Sequence, residues 1–158
     1  KLLFENWRRY LNEWTAPQYS MTTDTTLVPR VDTEPAPEEE DIGAFRGHQV
    51  FQGSTEDPWD GVRHTYSVIS NDGNTLAALQ VVAHEEGVRV KYAKKEPNIN
   101  FHMSEFYEWL LPHVGAIYSD PSQTPEGEKI WQHLKKAGHN IQPYDMPGGL
   151  MGGWKLVK

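Results

Sequence analysis

Seven histidines are the side chains most able to do chemistry in this sequence: His48, His64, His84, His102, His113, His133 and His139. Their spacing argues against a metal centre. None falls at HExxH or at another helical ligand pair, and a scattered imidazole is ordinarily a surface or satisfied core residue. Cysteine is absent, which removes disulfides, thiolate metal sites and thiol nucleophiles together and suits assembly in a reducing cytoplasm. No Gly-x-Ser-x-Gly elbow presents a serine nucleophile, and no Walker loop cradles a phosphate. Asp120, directly after Ser119, has the position of strand-end capping rather than of a metal ligand. The residue types thus name no metal site and no resident cofactor.

Charge and hydropathy narrow the partners. The chain has 15 basic and 22 acidic side chains among 158 residues, a formal net charge of −7. Nucleic-acid backbones are bound by clustered Lys and Arg, so this balance disfavours them. No apolar run is long enough to span a membrane. Six tryptophans and 11% aromatic residues are many for so acidic a protein. Core packing accounts for some, and Trp and Tyr also serve as anchors at protein interfaces.

Three segments divide the chain. Residues 1–14 (KLLFENWRRYLNEW) place Leu3, Trp7, Tyr10, Leu11 and Trp14 on one face of an α-helix. An isolated helix of this length is marginal in water, so its apolar face needs a surface, either its own domain or a partner. Residues 15–47 read as an acidic, Pro- and Thr-rich extended arm or linker. Seven acids against two bases give it −5, with six carboxylates between Asp32 and Asp41. Such composition buries too little apolar surface to fold alone and extends by self-repulsion. Tyr19, Met21, Leu27 and Val28 are its apolar anchors for docking along a neighbour.

Residues 48–158 form the domain, an α+β unit. His64–Ser70 alternates and ends in Asn71-Asp72-Gly73-Asn74, a turn signal. Thr75–His84 and Val88–Lys94 continue an antiparallel meander, with Val88, Val90 and Tyr92 on one face. A helix over 104–111 stops before Pro112, and a buried strand over 115–119 follows. Thr124-Pro125 caps a second helix, in which Ile130, Trp131 and Leu134 point inward and Gly138 terminates. Strands over 141–144 and 154–157 close the order β-β-β-α-β-α-β-β.

That order resembles the second half of the GNAT N-acetyltransferase fold. The resemblance covers roughly residues 64 to 145 and is densest over 117–134, IYSDPSQTPEGEKIWQHL. This stretch is similar to GNAT-like proteins of tailed phages, where a strand ends in Ser-Asp (here Ser119-Asp120). A Thr-Pro-x-Gly helix start (Thr124-Pro125-Glu126-Gly127) and an apolar-Trp-x-x-Leu pattern (Ile130-Trp131-Gln132-His133-Leu134) follow. The resemblance implies a mixed sheet and, in active members, acetyl-CoA held on a Gly- and Arg-rich loop before a helix. Glycine permits close backbone approach there, and the helix end favours the anion. Here that loop is Lys94 to Ser104, KKEPNINFHMS, with no Gly and no Arg. Phe101, His102 and Met103 are expected to crowd it, while Lys94 and Lys95 are the residues that could still attract phosphate. The family's base and acid map at best onto Glu96 and onto Tyr118 or Tyr144.

The first segment carries its own resemblance. It is similar to amphipathic leaders of proteins from large marine tailed phages, including cyanophages. Leu11-Asn12-Glu13 fits the Leu-x-Glu pattern cleaved by some prohead proteases, and cleavage at Glu13 would remove the leader.

The reading these features favour is a non-catalytic structural or accessory protein of a tailed-phage virion, made in the bacterial host cytoplasm. Its partners would be other virion proteins or copies of itself, met through Leu3, Trp7, Tyr10, Leu11, Trp14, Tyr19, Leu27 and Val28. Nucleic acid and membrane are not expected partners. The alternatives are a divergent acetyl-CoA-dependent N-acetyltransferase and a soluble phage protein that binds a host target.

Overall fold

The computed structural model describes residues 39–59, 61–120, 123–145 and 152–158. The leader and arm over residues 1–38, with every partner residue assigned to them above, lie outside the described residues. Five antiparallel strands come first: β1 (Glu39–Phe45), β2 (His48–Asp57), β3 (Gly61–Ile69), β4 (Thr75–His84) and β5 (Gly87–Lys95). Then follow α1 (Met103–Val114), β6 (Ile117–Tyr118), α2 (Pro125–Lys136), β7 (Asn140–Tyr144) and β8 (Gly153–Val157). The eight strands form one mixed sheet in the order β1-β2-β3-β4-β5-β6-β8-β7. β5 and β6 run parallel, joined by α1, and the other neighbours are antiparallel. From β3 onward this is the element order that the acetyltransferase resemblance implies.

The sheet starts earlier than the sequence reading placed it. β1 lies inside the acidic stretch 15–47, where a charge run masks it. It is also bulged. Ile42 is the extra residue between Asp41↔Phe51 and Gly43↔Val50, so its apolar side chains do not alternate. Gly43 has φ 131° and lies against the Trp109 ring, with its N–H on Asp41 Oδ1 at 3.0 Å. Arg46 and Gly47, both at positive φ, make the two-residue turn into β2, the pattern of a tight hairpin.

A second bulge changes β5. Gln80 opposes Tyr92 while Val81 opposes Val90, which leaves Lys91 as the extra residue. Val88 and Val90 therefore enter the core with Leu79 and Val81. Tyr92 turns to the other face, where the Arg63 guanidinium lies 5.7 Å from its ring centroid. The expectation that Tyr92 shares a face with Val88 and Val90 fails for this reason.

Both helices pack on one face of the sheet. Phe106, Tyr107, Leu110 and Leu111 of α1 and Trp131 and Leu134 of α2 join Val50, Val68, Leu79, Ile117 and Leu156 in a single core. Tyr107 and Trp131 meet edge to face at 5.9 Å, which locks the helices to each other. α1 runs through Pro112 instead of stopping before it, with the Glu108 carbonyl left without its usual i+4 donor because Pro112 has no N–H, and Gly115 (φ 89°) terminates the helix. In α2, Thr124 Oγ1 accepts the Gly127 N–H at 3.2 Å and Pro125 opens the helix. Ala137 is the cap and Gly138 the left-handed residue after it. Gly138 N–H then bonds to Lys135 O and His139 N–H to Leu134 O, both at 3.2 Å.

Candidate functional site

Two places on this frame could hold a ligand or do chemistry. The first is the positive end of α1, reached by the loop 96–102. Glu96 extends the ladder by donating its N–H to Leu76 O at 2.8 Å, and Asn98 takes a left-handed conformation at φ 64°. Lys95 Nζ donates to Phe101 O at 3.0 Å and so ties the loop to the end of β5. Lys94 is itself buried. Phe101 and Met103 do not crowd the approach as expected. Both are buried in the core, Phe101 edge to face with Phe45 at 4.9 Å. His102 alone of the three is exposed, with its ring 5.5 Å from that of His133.

What fills the helix end is a carboxylate. Glu105 Oε2 accepts the His102 N–H at 2.9 Å, one half of a capping box, and Glu105 Oε1 lies 3.3 Å from the Arg46 guanidinium. The partial positive charge of the helix terminus already has its own anion and that anion its own cation. A diphosphate arriving there would meet a negative charge and a loop with no glycine.

The second place is the far end of the short strand β6. Only Val88↔Ile117 and Arg89↔Tyr118 pair across β5 and β6. β5 then bulges and continues to Lys95, while the β6 chain leaves as Ser119-Asp120. Tyr118 is fully buried and donates its hydroxyl to Glu85 Oε2 at 3.2 Å. Tyr144 donates its hydroxyl to Ser119 O at 2.5 Å, with its ring 5.0 Å from that of Tyr118. His84 completes an aromatic triad, 4.6 Å from the Tyr118 ring and 5.8 Å from the Tyr144 ring. Lys155 reaches in from β8, with Nζ 3.3 Å from Glu86 Oε1 and 5.2 Å from the Tyr118 ring centroid.

The electrostatics of this cluster follow from burial. Desolvation, aided by the Arg89 charge and opposed by Glu85, lowers the His84 pKa below the ordinary histidine value, so its imidazole is neutral at pH 7. Its Nε2 is buried with no hydrogen-bond partner. Desolvation raises the Tyr144 pKa. The hydrogen bond to Tyr118, with that to Glu86, raises the Lys155 pKa. Both tyrosine protons are committed to internal acceptors, and the arrangement reads as a part-buried polar brace between β4, β6, β7 and β8.

Of the sequence-derived candidates, the structure brings Tyr118 and Tyr144 together and leaves Glu96 apart. Glu96 follows the opposite end of β5. Arg89, the neighbour of Tyr118, is seven residues away along an extended strand, or roughly 20 Å. A base and an acid at that separation cannot serve one proton transfer, which needs hydrogen-bond reach. The sequence shows His84 only as one scattered histidine, because Tyr118 and Tyr144 are distant in the chain and nothing local marks the residue before a tight turn. Among the described residues no group of three or more His, Asp or Glu is placed to hold a metal ion. No described helix is long and apolar enough to cross a membrane.

No protein-family model matches the chain, and no curated protein matches it. A solved structure described as "putative acetyltransferase from Sphaerobacter thermophilus DSM 20745" aligns with 78% of this chain and 82% of its own, at 12% identity and a TM-score of 0.38. A likeness of that degree carries no argument about activity.

Proposed function

We propose that this chain is a non-catalytic assembly protein of a tailed-phage particle, with a GNAT-like domain that has lost its cofactor cradle and serves as scaffold. The observation that carries the reading is Glu105. Its carboxylate occupies the helix end where an acetyltransferase would hold the cofactor diphosphate, in front of a loop without Gly or Arg. The separation of Glu96 from Tyr118 and Tyr144 supports it, because the family's acid and base would have no common substrate. The phage assignment rests on the leader and on the 117–134 stretch, and it makes the virion the location and other virion proteins, or further copies of the chain, the partners.

Mass spectrometry of purified particles from a host carrying the gene tests this. Peptides of the chain are expected at constant ratio to the known particle proteins, and their absence from intact particles contradicts the assignment. Deleting Lys1–Trp14 is expected to leave the thermal transition of the domain unchanged while removing the chain from particles. A second reading, a divergent N-acetyltransferase, is favoured by one feature. β6 ends at Tyr118 while β5 runs on to Lys95, and the parting of two parallel strands is a place where an extended ligand can enter.

A further inference from the structure

The sheet is buried on both faces, and α1 and α2 account for only one of them. Val50, Val68 and Ala77 align across the side that the helices cover. One residue along, Phe51, Ser67, Ala78 and Lys94 align across the opposite side. Arg63, Val82 and Arg89 form a second row on that side, four residues further along β3 and β4. Among the described residues no helix lies there. An antiparallel sheet packed on one side ordinarily turns polar, wet side chains to the other. Here Phe51 is 1% exposed, Arg63 and Val82 4% and Lys94 7%. Phe51 and Val82 are buried without belonging to the helix-side core.

The chemistry of this second face says what fits it. Along β3, β4 and β5 its positions hold Arg63, Arg89 and Lys94 around Val82 and no acid, with Phe51 in the row of Lys94. Cations this deep are stable opposite carboxylates, and the apolar side chains between them call for apolar cover. One segment of the chain has that composition. Residues 15–38 carry Asp24, Asp32, Glu34 and Glu38 against Arg30, with Leu27, Val28 and Val31 among them. The segment leads directly into β1, at the sheet edge beside β2. From β1 to β5 is four strand spacings, or about 19 Å. An extended chain covers that distance in about six residues. Glu34 and Asp32, which shortly precede Glu39, are therefore within reach of Arg89 and Lys94.

We propose that the acidic arm, residues 15–38, lies across the helix-free face of its own sheet. Its carboxylates meet Arg63, Arg89 and Lys94, and its apolar residues cover Phe51 and Val82. The arm's apolar anchors then serve its own domain, and the leader ahead of it is left for a partner. Part of the contact is electrostatic, so it loosens as salt rises. The inference stands on the sheet face and the arm and is independent of whether the chain belongs to a particle.

Carbodiimide coupling of the full chain, which joins a carboxylate to a lysine amine in direct contact, tests this. An equal mixture of 15N-labelled and unlabelled chain tells links within a copy from links between copies. Lys94 is expected to couple to Asp32 or Glu34 in peptides of a single isotope, less so at high salt. Lys155 and Glu86, 3.3 Å apart, are the internal control for coupling. Links from Lys94 to the arm only between isotopes, or none while Lys155–Glu86 couples, would overturn the proposal. A dye that brightens on apolar surface gives a second readout. Its fluorescence should rise several-fold with Leu27→Asp/Val28→Asp and stay at the wild-type level with Leu3→Asp/Leu11→Asp, each variant keeping a cooperative thermal transition. The reverse pattern would make the leader the cover and contradict the assignment to the arm.

Discussion

At the scale of single residues, one carboxylate and one imidazole can be tested. The part-exposed Glu105 carboxylate accepts the His102 N–H at the start of α1 and pairs with Arg46. His84 gives a measurable consequence. Its folded-state pKa is depressed from 6.5, so the unfolded chain binds the proton more readily. Its contribution to stability is full above the unfolded value and is lost as pH falls through 6.5 towards the lower folded value. Urea midpoints are expected to drop between about pH 7.5 and about pH 5, and less steeply in His84→Gln, which removes this titration. Gly87 supplies a second test. A Cβ there would stand 2.0 Å from Ala116 O, a backbone atom, where β5 and the approach to β6 are closest. Gly87→Ala should cost about 3 kcal/mol in a denaturant titration, at the upper end of ordinary overpacking. A neutral result would mean that β6 does not lie against β5 as described.

At the scale of elements, the sequence was most informative where capping residues and periodicity agreed. α2 was readable from Thr124-Pro125, the acids at its start, the lysines at its end and Gly138. The structure differs only in assigning the cap itself to Ala137. Two substitutions examine this helix at its end and its centre. Thr124→Ala should lose about 1 kcal/mol, the usual value of an N-cap. Trp131→Ala should lose about 3–5 kcal/mol, because the indole is buried against Tyr107. Equal effects of the two would place Trp131 outside the core. β1 was not readable, and the reason is physical. Five of its seven residues are acids or small, it lies at the sheet edge, and the bulge at Ile42 breaks the alternation that marks a strand. Tyr92 was misplaced by the same device acting at Lys91.

At the scale of the whole molecule, the sheet explains why local sequence described the fold better than the site. The meander β3–β5 and both helices follow from neighbours in the chain. By contrast, the His84–Tyr118–Tyr144 cluster joins β4, β6 and β7, and Glu105 meets Arg46 from the other end of the domain. Such contacts exist only once the sheet has formed, and no spacing rule encodes them. The loop 94–104 is different: its lack of Gly and Arg is visible in the sequence, and the structure adds that the Glu105 carboxylate accepts the His102 N–H at the start of the helix that follows. The proposed function turns on whether the helix end of α1 accepts a diphosphate. Isothermal titration of the full chain with acetyl-CoA is its most direct test. No saturable heat is expected up to millimolar cofactor. Saturable binding at micromolar strength, abolished by substitutions within residues 94–104, would contradict the account and restore the enzyme reading.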